Sequence, residues 1–272
     1  MPAPAQRAGR YVRQLEGYRA FIPEPLPPDP PVGYDDEMLV LLSQADRMLG
    51  RLDGSTEVLP NPDLFVFMYV RQEAALSSQI EGTHASLIDL LEYEARAAGP
   101  ERPVDVAEIA NYVAAMNYGL ERLNELPVSL RLIREIHERL LTGERGAERT
   151  PGEFRRSQNW IGPPGCTLAD ATYVPPPVDE MMAALGEWES FLDYKKPMPM
   201  LIKVGIAHAH FETIHPFLDG NGRVGRLLIT FLLVENGVLT RPLLYLSHFF
   251  KEHRQTYYDL LQAVRDEGAW EV

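Results

Sequence analysis

Residues 215–226 read HPFLDGNGRVGR, and the reading of this string decides the fold. Gly220, Gly222 and Gly225 have the G-x-G-x-x-G spacing of a dinucleotide-binding turn. That fingerprint needs a β-strand before the glycines and an acidic residue about 20 positions later, at the end of the next strand. Neither requirement is met. The preceding residues 200–214, MLIKVGIAHAHFETI, read as a helix, and residues 236–251 contain no Asp or Glu. A Walker A loop needs Gly-Lys-Ser/Thr, a tripeptide absent from the chain. The string therefore joins two helices, and both common nucleotide folds are excluded.

The loop still has the chemistry of an anion site. Its glycines allow backbone N–H groups to approach a phosphate at the start of the second helix, where the exposed amides and the dipole favour negative charge. Arg223 and Arg226 stand three apart and share a face of the first turn, although cations there oppose the dipole. A bound polyanion resolves that conflict. Asp219 supplies a hard oxygen suited to magnesium between phosphates, and His215 can accept a proton near neutral pH.

Outward from the string, the pattern is helical. Residues 35–54, DDEMLVLLSQADRMLGRLDG, place Met38, Leu41, Leu42, Ala45, Met48, Leu49 and Leu52 at helical spacing. A second helix over PDLFVFMYVRQEAALSSQIEG stops at Gly82, a left-handed cap. Another begins near Ser86. The next puts Ile109, Tyr112, Val113, Met116, Leu120 and Leu123 on one face, and Ser129 caps LRLIREIHERLL. Further helices follow over VDEMMAALGEWESFL, RVGRLLITFLLVENG and SHFFKEHRQTYYDLLQAVRDEG.

Two segments break this pattern. Residues 143–177 are rich in Gly and Pro and hold two short extended pieces, QNWIG and ATYVP, which predict an irregular β-hairpin. Residues 1–35 contain FIPEPLPPDPPVG, which predicts a proline-rich extended arm lying against the body through Tyr11, Tyr18, Phe21, Ile22 and Leu26. The fold class read from the whole chain is all-α with one small hairpin.

Composition narrows the function. Among 272 residues the formal charge is −13, which disfavours nucleic-acid backbones and anionic membranes as partners. Cys166 is the single cysteine, so no intramolecular disulfide forms. No apolar run reaches the ~18 residues of a membrane span, and MPAPAQRAGRYVRQLEG lacks a secretory core. A cytoplasmic location is the expectation. His208, His210, Glu212 and His215 do not make a zinc site, because His208 and His210 are two apart on different helix faces and no H-E-x-x-H occurs. Cys166 has no evident activating base.

The string resembles the Fic-domain motif, H-P-F-x-[D/E]-G-N-G-R-x-x-R, at every specified position. The likeness extends to PGEFRRSQNWIG and YVPPP, similar to the family's flap, and to HAHFETIHPF, similar to its preceding helix. The stretch LGRLDG…LPNPDLF…RQEAALSSQIEGTHASLIDLL resembles the N-terminal region of members that carry an inhibitory helix. The resemblance implies a Fic-type helical bundle with three regions: the arm over 1–35, an inhibitory-helix region over 36–100 and a catalytic core over 101–272. Many relatives continue into a winged-helix module, so GAWEV marks either a natural short form or a trimmed chain.

The resemblance also implies a protein adenylyltransferase. AMP from ATP would pass to a Ser, Thr or Tyr hydroxyl of a protein, the chain itself included, with magnesium or manganese as cofactor. By the motif, His215 is the general base and Asp219 the metal ligand. Gly220, Asn221 and Gly222 form the anion hole, Arg223 assists the phosphates and Arg226 holds the γ-phosphate. Phe217 anchors the loop. Trp160, Ile161, Gly162, Thr172, Tyr173 and Val174 would form the flap that takes the target as an added strand. Tyr257, Tyr258 and Gln262 would wall the adenine. Ser77, Glu81 and Gly82 fit the inhibitory pattern [S/T]-x-x-x-E-[G/N], with Glu81 paired to Arg226 in place of the γ-phosphate. Two alternatives stay open: hydrolysis of AMP from a modified protein by the same residues, and a nucleotide-sensing regulatory protein. Kinase-type and choline-phosphate transfer are further variants within the fold. A homodimer is expected from the family's habit.

Overall fold

The computed structural model describes residues 6–95, 103–143 and 148–272. The expected region boundary at 100/101 and the start of the arm lie outside the described residues. Ten α-helices and one two-stranded sheet are present among the described residues. The chain is all-α, as its periodicity dictates.

Two compact units are formed. The first combines Met1–Tyr34, Phe154–Asn221 and Gln255–Val272; the second combines Asp35–Glu153 and Gly222–Arg254.

In the second unit the helices are α1 (Asp36–Ser55), α2 (Pro62–Ile80), α3 (Leu87–Ala95), α4 (Val104–Arg122) and α5 (Leu130–Leu140). Their starts follow capping chemistry. Asp35, Asn61 and Ser129 accept the N–H of Met38, Leu64 and Leu132. Gly82, at φ 100°, follows the last turn of α2. The core is built by α2, α4, α5 and the helix after the glycine loop, α8 (Asn221–Glu235), which buries Val224, Leu227, Leu228, Phe231 and Leu233. Gly119 of α4 lies directly under the Phe231 ring, and a Cβ there would overlap it. The apolar face predicted for α1 is not covered: no α1 residue is buried, and Leu41 and Met48 are each more than half exposed.

In the first unit, α6 (Val178–Leu192) packs against α7 (Met200–Ile214). Trp188 is fully buried, lies 5.8 Å from the Phe211 ring and donates its indole N–H to Ala207 O at 2.8 Å. Helix α7 is buried on nearly all sides along its second half, consistent with its apolar composition. The short α9 (Ser247–Glu252) belongs to the second unit, and α10 (Arg254–Glu267) completes the set.

The regular strands lie in a segment where none was expected. The two-stranded sheet joins β1 (Gly9–Arg13) to β2 (Arg19–Pro23), antiparallel, with Tyr11 opposite Phe21. It lies in the segment read as an extended arm. No proline lies between Ala5 and Ile22, so both strands are free to pair before the proline cluster that starts at Pro23, where β2 ends. The irregular hairpin expected from QNWIG and ATYVP takes the form of one antiparallel bridge, in which Ile161 and Tyr173 exchange N–H···O bonds at 2.8 and 3.0 Å. Phe21 and Ala20 are fully buried, and Phe21 N–H donates to Val174 O at 2.9 Å.

Candidate active site

The histidine end of the string belongs to the first unit. His215 ends α7 in the left-handed region, φ 49° and ψ 60°, its N–H donating to Phe211 O at 3.0 Å. A non-glycine residue there carries strain and persists only where neighbours over-determine it. Here they do. His215 O accepts from Arg155 Nε at 3.0 Å and from Asn159 Nδ2 at 3.2 Å. Pro216 O accepts the Arg155 N–H at 2.9 Å. Asn221 grips the main chain of Phe217 from both sides: Oδ1 accepts its N–H at 2.9 Å and Nδ2 donates to its carbonyl at 2.8 Å. The Phe217 ring is fully buried and lies 5.2 Å from Phe154. His215 is left half-buried and Asp219 exposed, its Oδ1 accepting Gly220 N–H at 2.6 Å.

The residues expected to form a flap differ in exposure. Tyr173 is buried, donates its hydroxyl to Thr213 O at 2.6 Å and carries the Arg265 guanidinium 3.9 Å above its ring. Val174 is buried, whereas Trp160, Gly162 and Thr172 are exposed and Ile161 is half-buried. Trp160 donates its indole N–H to Cys166 O at 3.1 Å.

The three proposed adenine residues separate. Tyr257 is buried, its hydroxyl 3.0 Å from His208 Nε2. Tyr258 is partly exposed beside it. Gln262 turns to the N-terminal hairpin, donating to Tyr11 OH at 3.1 Å. Burial and the bond to Asp266 push the Tyr11 hydroxyl up to about 12. Gln262 lines a cavity of about 640 Å³ with Tyr11, Tyr18, Thr172, Val174 and Asp266, and neither Tyr257 nor Tyr258 lines it.

The arginine end belongs to the second unit. Arg223 and Arg226 are both buried on the first turns of α8. Arg226 Nε donates to Ser77 Oγ at 2.8 Å, and Nη2 donates to Ser77 O at 2.9 Å and to Glu81 Oε1 at 2.7 Å. Ser77 is fully buried, and the Glu81 side chain is 37% exposed. Glu81 Oε1 stands where a Cβ at position 222 would be, so this carboxylate lies against the glycine backbone of the loop. Only glycine permits that approach.

Sequence reasoning missed Glu73, Arg155 and Asn159. Glu73 is buried, accepting Ser247 N–H at 3.1 Å and the Ser247 and Tyr112 hydroxyls. Burial raises its pKa, opposed by the Ser247 bonds and by the field of Arg226. A glutamate inside the otherwise small and apolar run EAALSS was the available signal. Arg155 and Asn159 sit in an irregular segment where no period indicates which side chains turn inward.

Comparison with known proteins places this geometry. Residues 39–121 match the Fic/DOC family N-terminal region and residues 127–233 the Fic/DOC family itself, together most of the chain. A protein adenylyltransferase Fic of Aedes aegypti is 36% identical over 196 residues, covering 70% of this chain and 36% of that protein. A probable protein adenylyltransferase of Aquifex aeolicus is 32% identical over 178 residues, covering 64% and 51%. The chain thus spans about a third to a half of the length of these curated relatives. The crystal structure of a Fic family protein from Desulfovibrio desulfuricans shares the fold, with a TM-score of 0.67 at 22% identity over 86% of this chain and 68% of that one. With both family regions matched in order and the fold shared, the chain belongs to the Fic/DOC family.

Proposed function

We propose that this chain is a protein adenylyltransferase whose resting state is held off by Glu81. The observation that carries the reading is the Glu81 carboxylate, 2.7 Å from Arg226 and seated on Gly222 at the N-terminal turn of α8. A helix N-terminus with a buried guanidinium selects an anion, and here the anion is the chain's own side chain. The names of the relatives, which are adenylyltransferases, support the same activity.

The residue roles follow the motif. A hydroxyl oxygen of the target attacks the α-phosphorus of ATP, the bond to the bridging oxygen breaks, and pyrophosphate leaves. His215 takes the hydroxyl proton. The rigid carbonyl anchoring of its backbone fits a base that must be placed rather than searched for. Arg226, once free of Glu81, binds the terminal phosphate. Asp219 fits magnesium, since this ion keeps waters and phosphate oxygens and asks the protein for one or two carboxylates. Among the described residues no cluster of three or more metal-binding side chains exists, so the nucleotide would complete that shell. When bound, the ion neutralises the leaving pyrophosphate.

The test uses ATP labelled at the α- or γ-phosphate with wild type, Glu81→Gly and His215→Ala. Protein label from the α position only, increased at least tenfold by Glu81→Gly and abolished by His215→Ala, is the expected result. Glu81→Gly labelling no stronger than wild type removes the autoinhibition. Label from the γ position makes the enzyme a kinase. Clearance of a pre-AMPylated protein, with no labelling by any variant, makes it a hydrolase that uses the half-exposed Glu81 carboxylate to orient water.

A further inference from the structure

Arg155 is one of the largest fully buried side chains of the molecule, 1% exposed, and no carboxylate meets it among the described residues. Its partners are carbonyl oxygens. Nε donates to His215 O at 3.0 Å, Nη1 to Ser157 O at 3.2 Å and Nη2 to Pro176 O at 2.5 Å, while its backbone N–H donates to Pro216 O at 2.9 Å. Burial disfavours the cation and brings its pKa down to about 10, so it remains charged at neutral pH.

An arginine desolvated without a counter-ion is a costly way to fill space. The pattern of its contacts explains its presence. Ser157 and Pro176 are the two ends of the flap, entering before Gln158 and leaving after Pro175. His215 and Pro216 form the strained corner at the end of α7. A planar guanidinium is the one side chain that presents donors in a rigid fork to several acceptors at once. Neighbouring bonds run parallel to it: Gln158 Nε2 donates to Pro175 O at 2.9 Å, and Asn159 Nδ2 to His215 O and Phe217 O.

We infer that Arg155 is a positioning residue, whose single guanidinium fixes the two ends of the flap and the His215 corner as one rigid piece. The flap that would present a target hydroxyl and the imidazole that would deprotonate it then keep a constant separation. This rests on the adenylyltransferase reading of His215. The phosphate-binding side chain Arg226 has its own anchors on α2 and does not depend on Arg155.

The experiment compares wild type, Arg155→Lys and Arg155→Ala, each also carrying Glu81→Gly, in three measurements. Hydrogen exchange is expected to rise together, at least tenfold in Arg155→Ala, over 157–176 and 214–218, with helices α4 and α5 unchanged. AMP transfer from α-labelled ATP is expected to fall at least thirtyfold in kcat, while ATP affinity stays within twofold. Guanidinium ion, added at concentrations below those that unfold the variant, is expected to restore part of the transfer to Arg155→Ala. Arg155→Lys, which keeps charge but loses the fork, is expected to fall between. The inference is overturned if exchange rises in only one of the two segments, or if a folded Arg155→Ala transfers AMP within threefold of its parent. Equal losses of ATP affinity and transfer without guanidinium rescue also overturn it, since they mark general loss of structure. If the Glu81→Gly parent transfers nothing, the functional reading fails, and the exchange measurement still decides the role of Arg155.

Discussion

At His210 on α7, burial removes the water that would stabilise an imidazolium, and the pKa falls to about 4. The ordinary value is about 6.5, so in the intervening range the unfolded chain binds the proton and the folded chain does not. Stability contributed by this residue is therefore present above about pH 6.5 and is lost as pH falls towards 4. Full loss amounts to at most about 3 kcal/mol. Glu73 runs the other way, because its raised pKa gives stability at low pH that is lost as pH rises through that value. Urea melts of wild type and His210→Gln at several pH values are expected to differ little at low pH and to diverge as pH rises, the variant lacking the acid-side slope. Parallel profiles would assign the slope to other groups. The residues of the glycine string were legible because they are contiguous, and Glu81 because its pattern is local. Glu73, His210 and Arg155 were not, since a polar side chain is buried by what packs on it from elsewhere in the chain.

Helices were legible as elements because their apolar spacing and caps are local properties, whereas strand pairing was legible only in part. The bridge between Ile161 and Tyr173 joins the two extended pieces marked by their Gly/Pro turn, but the sheet at Gly9–Pro23 pairs strands in a segment whose prolines indicated none. Position 119 shows packing overriding propensity between two elements. Alanine is the better helix former by about 1 kcal/mol. Its methyl group at this position would enter the Phe231 ring, and such overpacking costs about 1–3 kcal/mol. Gly119→Ala is expected to lower stability by about 1 kcal/mol, read as a smaller midpoint in denaturant with an unchanged slope. A higher midpoint would show that the Phe231 ring yields without cost. Because Phe231 lies on α8, about one and a half turns beyond Arg226, this contact also sets the seating of the helix that carries the proposed phosphate residues.

On the scale of the whole molecule, the first unit is held by contacts between the beginning and the end of the chain. Arg7 forms a two-bond ion pair with Glu271, at 3.0 and 2.9 Å, and reaches Gly268 O and Pro30 O. Its side chain is only 9% exposed, so this pair is better shielded than an ordinary surface ion pair. Burial alone would raise the Glu271 pKa, but the Arg7 and Gly33 bonds outweigh it and hold the carboxyl below its usual range. Arg7→Ala is expected to lower stability by about 1–2 kcal/mol and to speed amide exchange across 9–23. Unchanged exchange there would show that the apolar contacts of Phe21 suffice.

The hydrogen bond from Tyr11 to Asp266 joins residues 255 apart. On a ribosome adding about 5–20 residues each second, the first strand of this unit waits roughly 10–50 s for the helix it binds. The residues of the His215 corner are synthesised meanwhile, and the helix that places Arg265 over Tyr173 follows them. A nascent chain thus carries Ser77 and Glu81 long before it carries Arg226. The proposed brake is synthesised before the machinery it would restrain.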